Sequence, residues 1–271
     1  MPAPSAGLSS WCGSGKGNNP VDASSAYTLI TGASSGIGRA IAVRLSATMP
    51  LILHGRDEAR LAETRGLCAA PDRHLCWRHD LREIDLAAGS LRALLAEHGA
   101  TVAHFVHSAG MATVLPPRMI TAAATAEIFN VNFISAAAIC GLLTQKTVNQ
   151  RQLRGVVFIS SIWSKFSTRG HSLYGASKAA LDGLMRGLAL DLAPEVRVNS
   201  VLPGAVPSAM AAQGFADAEI AGNLHRDYPL GTGQAEDVAG LVAFLLSDEA
   251  RWITGQQFVI DGGRTVNMSL K

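Results

Sequence analysis

The stretch YTLITGASSGIG, residues 27–38, is the part of the sequence that indicates the fold most clearly. Its first five residues combine apolar and β-branched side chains and predict a strand, and the glycines and serines after them predict a tight turn. Over residues 38–48 the apolar side chains recur at helical spacing, which predicts a helix with one buried face. A purely structural turn would use similar residues. The position of this turn between the first strand and the first helix favours a dinucleotide site, where glycines let the backbone approach a pyrophosphate and the helix start directs its N–H groups at the phosphates.

The rest of the chain alternates short apolar runs with longer helical patterns. Strands that are apolar throughout, separated by helices, indicate a parallel sheet covered on both faces. We therefore predict one α/β domain of the doubly wound, Rossmann type over residues 27–271, preceded by a flexible tail at residues 1–26. The further predicted strands are 51–54, 75–79, 102–108, 156–160, 197–202 and 257–261, and the main later helices are 84–97, 121–145, 173–193 and 237–246.

Composition excludes several classes of protein. The 271 residues are 48% hydrophobic and 16% charged, which excludes a disordered chain. A balance of 23 Lys+Arg against 21 Asp+Glu argues against a nucleic-acid-coating protein. The apolar runs are shorter than the ~20 residues of a membrane span, and residues 1–26 lack the apolar core of a secretory signal. Four cysteines without a CxxC pair (Cys12, Cys68, Cys76, Cys140) predict idle thiols in the cytoplasm.

The end of the second strand indicates which cofactor is used. A carboxylate at this point would hold the adenosine ribose of NAD, but the chain has Gly55 there, followed by Arg56. An arginine pairs well with a ribose 2′-phosphate, and Ser34 and Ser35 could assist, so the sequence favours NADP over NAD. Asp57 comes one residue later, and we interpret it as a helix cap.

A catalytic group is predicted around Tyr174 and Lys178, which share one helical face. A nearby ammonium favours the phenolate, so this tyrosine could exchange a proton with a carbonyl or an alcohol near neutral pH. Ser161 follows the fifth strand, where open α/β sheets place their ligands, whereas pleat alternation directs Ser160 the other way. Asn132 lies within an apolar helical segment and needs a polar partner there.

Together these motifs resemble the short-chain dehydrogenase/reductase family, over essentially all of residues 27–263. The motifs that match are TGASSGIG at 31–38, Asp80-Leu81, the Asn132 segment, ISS at 159–161, YGASK at 174–178, PGAV at 203–206 and DGG at 261–263. The resemblance implies carbonyl reductase or 3-oxoacyl reductase-like activity with direct hydride transfer and no metal.

The resemblance also implies a role for each matched residue. Tyr174 would be the general acid/base, Lys178 would hold the nicotinamide ribose and lower the tyrosine pKa, Ser161 would bind the substrate oxygen, and Asn132 would hold a relay water. The cofactor would be held by Gly32, Ser34, Ser35, Gly36, Ile37, Gly38, Arg56, Asp80, Leu81, Ser108, Ala109, Gly110, Tyr174, Lys178, Pro203, Gly204, Val206 and Ser208. From spacing alone, Asp80 could equally be a helix cap.

Two positions depart from the family pattern. His107-Ser108-Ala109-Gly110 replaces an Asn-Asn-Ala-Gly type segment, which affects the shape of that turn, and Ser208 replaces a common threonine while keeping the hydroxyl.

The substrate is predicted to be a small, neutral, moderately apolar ketone or alcohol. A lid at about 208–233 would enclose it, and the candidate lining residues, each of which could also be core, are Met111, Trp163, His171, Met210 and Phe215. The family resemblance implies a homodimer or homotetramer. Two alternatives stay open: an NAD-dependent alcohol dehydrogenase of the same fold, and a non-catalytic dinucleotide-sensing protein.

Overall fold

The computed structural model describes residues 26–207 and 226–267. Seven parallel strands form one sheet in the order β3-β2-β1-β4-β5-β6-β7. The strands are β1 Tyr27–Thr31, β2 Leu51–Gly55, β3 Leu75–Arg78, β4 Val102–His107, β5 Gly155–Ile159, β6 Arg197–Pro203 and β7 Gln257–Ile260. The helices are α1 Gly36–Ser46, α2 Glu58–Leu67, α3 Ile84–Glu97, α4 Ala122–Phe129, α5 Ser135–Leu143, α6 Lys146–Asn149, α7 Ser172–Asp191 and α8 Ala235–Leu246.

The strand order reverses direction between β1 and β4, which are neighbours in the sheet. Thr31 at the end of β1 pairs in register with His107 at the end of β4. In doubly wound sheets the crevice beyond the carboxyl ends of such strands is where ligands bind. The predicted fold class is therefore confirmed, and the fold places the glycine turn at this crevice.

Apolar side chains fill both faces of the sheet. On the face covered by α3, α5 and α7 the core includes Trp77, Phe105 and Phe158, and on the opposite face it includes Ile41 of α1 and Val242 of α8. Each of these five side chains is fully buried, which stabilises the fold by roughly 1.5–3 kcal/mol per large side chain. The sheet is thus a rigid support for the loops at its carboxyl edge.

The helix predicted over 121–145 is present over Ala122–Leu143 and contains a local irregularity. A π-helical turn, Asn130–Ile134, separates α4 from α5. The extra residue in a π turn rotates the helix face, and here it brings Asn132 to a fully buried position. The predicted long helical region is confirmed, whereas the π turn within it was not predicted, because apolar periodicity runs through the segment on both sides of that turn.

The stretch Ala122–Leu143 is long enough and apolar enough, with a mean hydropathy of 1.6, to match a membrane-spanning helix by length and composition. Half of that window is buried inside the protein. Its buried residues, including Ile139 and Leu143, belong to the core beneath the sheet. A single core helix of this kind is weak evidence for a membrane span.

The predicted tail lies outside the described residues apart from its last residue, and so does most of the predicted lid. Ser208, Met210 and Phe215 are among the residues outside the described part of the chain.

Candidate active site

The turn between β1 and α1 brings the backbone close to the loop after β4. Gly32 has φ +70°, and a Cβ atom there would lie 2.7 Å from the main-chain nitrogen of Ala109. A Cβ atom on Gly38 would collide with the carbonyl oxygen of Gly32. Both positions require glycine, and α1 begins at Gly36 with its first N–H groups at the crevice. This is the cradle that a pyrophosphate needs, and Ser34, Ser35 and Ile37 lie partly exposed within it.

A buried histidine, which was not among the residues predicted from the sequence, packs behind this turn. Nδ1 of His54 accepts a hydrogen bond from the Gly32 N–H at 3.4 Å, and Nε2 lies 3.1 Å from the carbonyl oxygen of His79. Burial lowers the pKa of His54 to about 3, so the ring is neutral, with its proton on Nε2. The sequence sign of this role was a polar residue, His54, at a buried position of the otherwise apolar strand LILHG.

The predicted cofactor-discriminating segment lies at the end of β2. Gly55 is buried, and a Cβ atom there would lie 3.2 Å from Ser34 Cβ. The side chain of Arg56 is 64% exposed and reaches no closer than 3.9 Å to an Asp80 carboxylate oxygen. Asp57 accepts a hydrogen bond from the Arg60 N–H at 3.1 Å and caps α2, as interpreted from the sequence.

Asp80 follows β3 and is paired within its own loop. Arg82 donates to both carboxylate oxygens, with Nη2 2.6 Å from Oδ2 and Nε 3.1 Å from Oδ1. These hydrogen bonds hold the pKa of Asp80 below its usual value. The carboxylate is therefore charged and oriented, and the adjacent Leu81 is buried. The N-cap of α3 is Glu83, so Asp80 does not cap that helix.

Lys178 and Tyr174 meet at the start of α7. The Lys178 ammonium is buried, donates to the carbonyl oxygen of Ile159 at 2.9 Å, and lies 5.9 Å from the centroid of the Tyr174 ring. Burial lowers the pKa of Lys178 to about 8, and the carboxylate of Asp182 acts in the opposite direction. Such a lysine is charged at neutral pH and close to its titration point.

Ser161 lies beside Tyr174 at the end of β5. The desolvating surroundings of Tyr174 raise the pKa of its phenol, and a hydrogen bond with Ser161 lowers it in part. The Ser161 hydroxyl also accepts the Trp163 N–H at 3.2 Å. Ser160 is turned to the opposite side, as the pleat predicts, and donates to the Lys178 carbonyl oxygen at 3.3 Å. The structure therefore brings Ser161, Tyr174 and Lys178 together.

Asn132 is held at this group by three hydrogen bonds. Its Oδ1 accepts the Met111 N–H at 2.8 Å, and its Nδ2 donates to the Met111 carbonyl oxygen and to Ser177 Oγ, each at 2.9 Å. Ser177 in turn donates to the Tyr174 carbonyl oxygen at 2.8 Å. Ser177 is a second residue that the sequence analysis did not single out, since a serine within a helix carries no distinctive pattern.

The loop after β4 is anchored on Thr31. Its hydroxyl lies 2.9 Å from His107 Nδ1 and accepts the Ala109 N–H at 3.3 Å. Since Thr31 accepts from Ala109, its own proton is available for the histidine nitrogen. Ser108 and Gly110 flank Ala109 in this loop and lie partly exposed.

Two glycine segments meet at the far side of the crevice. The Gly204 N–H donates to the Ile260 carbonyl oxygen at 3.0 Å, and a Cβ atom on Gly204 would lie 2.9 Å from Asp261 Cα. Pro203 ends β6, and Val206 is buried three residues later.

His171 packs against Trp163 with ring centroids 4.2 Å apart, near Tyr174. Among residues 26–207 and 226–267, no group of three or more His, Cys, Asp or Glu side chains could hold a metal ion.

A reversing parallel sheet, a glycine cradle at a helix start and an adjoining Ser–Tyr–Lys group define a dinucleotide-dependent oxidoreductase. A family model described as enoyl-(acyl carrier protein) reductase matches residues 32–265. D-Erythrulose reductase of Gallus gallus is 30% identical over 242 residues, which cover 88% of this chain and 95% of that protein. L-Rhamnose 1-dehydrogenase (NAD(P)(+)) of a Sphingomonas species is 31% identical over 250 residues, 89% of this chain and 96% of that protein.

A solved structure supports the same assignment. A putative short-chain alcohol dehydrogenase from Sinorhizobium meliloti superposes with a TM-score of 0.81 at 30% identity, over 89% of this chain and 96% of that chain. The chain belongs to the short-chain dehydrogenase/reductase family. It is an NAD(P)-dependent oxidoreductase of carbonyl and alcohol groups on small molecules.

Proposed function

We propose that this protein is an NADP-dependent carbonyl reductase that also runs in reverse as an alcohol dehydrogenase. The observation that carries the cofactor preference is the exposed guanidinium of Arg56 directly after the buried Gly55, a position at which the chain has no Asp or Glu. The guanidinium of Arg56 could pair with a ribose 2′-phosphate, whereas Gly55 has no side chain to accept a hydrogen bond from a ribose hydroxyl.

The residues around the crevice fit the cofactor. The glycine cradle and the N–H groups at the start of α1 suit the pyrophosphate, and Arg56 with Ser34 and Ser35 suits the 2′-phosphate. Asp80 would accept the adenine amino group. The further contacts are assigned to Leu81, Ser108, Ala109 and Gly110 on the adenosine side and to Tyr174, Lys178, Pro203, Gly204, Val206 and Ser208 on the nicotinamide side.

The bound nicotinamide would supply or accept the hydride. Ser161 would donate a hydrogen bond to the carbonyl oxygen, and Tyr174 would transfer its proton to that oxygen as the bond to hydrogen forms at carbon. The raised pKa of Tyr174 keeps the phenol protonated at neutral pH, which suits reduction. In the reverse direction the charged Lys178 would stabilise the phenolate, and a water held near Asn132 would connect Lys178 to solvent.

The proposed substrate is a small, neutral, moderately apolar carbonyl compound. Met111, Trp163 and His171 lie on the side of the crevice next to Tyr174, and none of them is an aspartate, glutamate, lysine or arginine. D-Erythrulose reductase and the L-xylulose reductase of Mesocricetus auratus are named for small sugars. A ketose therefore belongs beside apolar ketones in any substrate panel.

We also propose that the protein is a cytoplasmic homodimer or homotetramer. Large apolar side chains are exposed on the described surface, among them Trp252 at 88% and Leu190 at 82%. Exposed apolar area of this kind is typical of subunit contacts. Cys68 and Cys140 are buried free thiols, which suits a reducing compartment. Light scattering on the purified protein would determine its oligomeric state.

The cofactor preference is tested by the Arg56→Ala variant. Dissociation constants for NADPH and NADH are measured by fluorescence titration, and wild type should bind NADPH more tightly than NADH. In the variant the affinity for NADPH should fall roughly tenfold or more, while the affinity for NADH stays unchanged. Arg44→Ala is the matched control, because Arg44 is exposed in the last turn of α1, away from the crevice. If the preference survived Arg56→Ala, the NAD-dependent alternative would replace the proposal.

A further inference from the structure

A second buried charge lies on the same face of α7 as the catalytic group. Asp182 follows Lys178 by one helical turn and is 2% exposed. Neither of its carboxylate oxygens accepts a hydrogen bond from any residue in the described part of the chain. Burying a carboxylate without hydrogen bonds costs free energy, so a buried carboxylate is ordinarily paired with a cation.

The charges around Lys178 are few. Tyr174 and Asp182 face it from α7, and His107 faces it from β4 as a neutral ring, since burial lowers the pKa of His107 to about 3. From β5 it meets the uncharged Ile159 carbonyl. Among the described residues, Asp182 supplies the one carboxylate that acts on the ammonium.

We propose that Asp182 is a positioning residue that keeps Lys178 charged at neutral pH. The proposal rests on the function assigned above to Lys178, because a cationic lysine is what holds ribose hydroxyls and stabilises a phenolate. The two side chains are one helical turn apart and both are buried, so little solvent screens the charge of one from the other. Burial alone would drive the ammonium toward its neutral form, and the carboxylate offsets that effect.

The charge of Lys178 can be observed without cofactor or substrate. The chain has five lysines, Lys16, Lys146, Lys165, Lys178 and Lys271, so [ε-13C]lysine labelling gives five signals that NMR can follow across the alkaline range. The Lys178 signal is assigned as the one lost in Lys178→Arg. In wild type it should titrate below the ordinary lysine pKa of 10.5, because burial lowers the pKa of Lys178 to about 8.

The decisive variant is Asp182→Asn, which keeps the shape of the carboxyl group and removes its charge. We expect the midpoint of the Lys178 titration to fall by roughly one pH unit. Asp182→Glu should restore it, and Asp191→Asn, an exposed carboxylate at the end of α7, should leave it unchanged. Asp182→Leu serves the same purpose should the asparagine variant not fold. A Lys178 midpoint that is the same in wild type and in the charge-free variant would overturn the inference.

The Lys178 titration is measured without activity, so a failure of this inference can be told apart from a failure of the proposed function. If the midpoint fell as expected and no carbonyl compound were reduced, the electrostatic role of Asp182 would stand and the reductase assignment would fail. If the enzyme is active, the high-pH limb of its kcat/KM profile should shift downward by the same amount in Asp182→Asn.

Discussion

Asn132 in the π turn is tied to the first turn of α7 through Ser177, whose Oγ lies 2.9 Å from Asn132 Nδ2 and donates to the Tyr174 carbonyl oxygen. The π turn of the long helix and the start of α7 are therefore linked through Ser177. Replacing Asn132 therefore removes a hydrogen-bond partner of the serine that contacts the Tyr174 carbonyl oxygen.

Replacing Asn132 by Ala should destabilise the protein by about 2–4 kcal/mol. The substitution leaves the Met111 N–H and carbonyl groups without their partner, and a buried unpaired polar group costs about 1–3 kcal/mol. Equilibrium urea unfolding measures the loss. Asn130→Ala is the control in the same turn, since Asn130 makes one long bond of 3.3 Å near the surface, and it should cost less than about 1 kcal/mol. Equal losses in the two variants would contradict the account.

The buried histidines predict acid sensitivity. The pKa of His107 is about 3 in the folded protein, against an ordinary histidine value of 6.5, so between these values the unfolded state binds more protons. Its contribution to stability is complete above about pH 6.5 and is lost as the pH falls toward 3. Each such histidine adds a slope of about 1.4 kcal/mol per pH unit.

His107→Asn should therefore flatten the pH dependence by about 1.4 kcal/mol per pH unit, although His54, with a pKa of about 3, continues to contribute. Urea unfolding at several pH values between neutral and mildly acidic measures the slope. An unchanged slope would show that His107 does not titrate on unfolding.

Gly38→Ala should destabilise the fold by about 2–3 kcal/mol and weaken NADPH binding, because the new Cβ collides with the Gly32 carbonyl oxygen. Thermal unfolding and fluorescence titration measure the two effects. The matched control is Gly66→Ala in α2, where a Cβ meets no atom within 4 Å. That substitution should be neutral or stabilise by up to about 1 kcal/mol. A Gly38 variant with wild-type stability and affinity would remove the steric argument for the cradle.

Asp57→Ala should lower stability by about 1 kcal/mol, since it removes the side-chain acceptor for the Arg60 N–H at the start of α2. Asp57→Asn keeps an acceptor and should retain most of that stability. Thermal unfolding compares the two. Because Asp57 is a cap, NADPH affinity should stay within about twofold of wild type in both variants.

The sheet could be predicted from the sequence because each strand is a short apolar run bounded by turn residues, and Ile84–Glu97 was predicted with the bounds the structure has. The relative positions of Ser161, Tyr174 and Lys178 followed from strand and helix geometry. The π turn could not be predicted, since Asn132 within it bonds to Met111 and Ser177, which are distant in the sequence.

Other features depended on contacts that local pattern does not encode. The pairing of Asp80 with Arg82 depends on the path of one loop, and the role of His54 depends on how β2 passes behind the glycine turn. The sequence did not predict that Asp182 is buried without a hydrogen-bond partner among the described residues, because an aspartate in a helix is ordinarily solvated.

We propose that NADPH drives carbonyl reduction with Tyr174 as the acid. The most direct test is NADPH consumption by wild type and Tyr174→Phe over a panel of aliphatic, aromatic and cyclic ketones, an acyl-thioester ketone and a ketose. We predict that wild type reduces at least one of them and that Tyr174→Phe loses about 10²–10⁴-fold in rate while binding NADPH as before. Wild-type protein that binds NADPH but reduces none of the panel, or a Tyr174→Phe variant as fast as wild type, would contradict the claim.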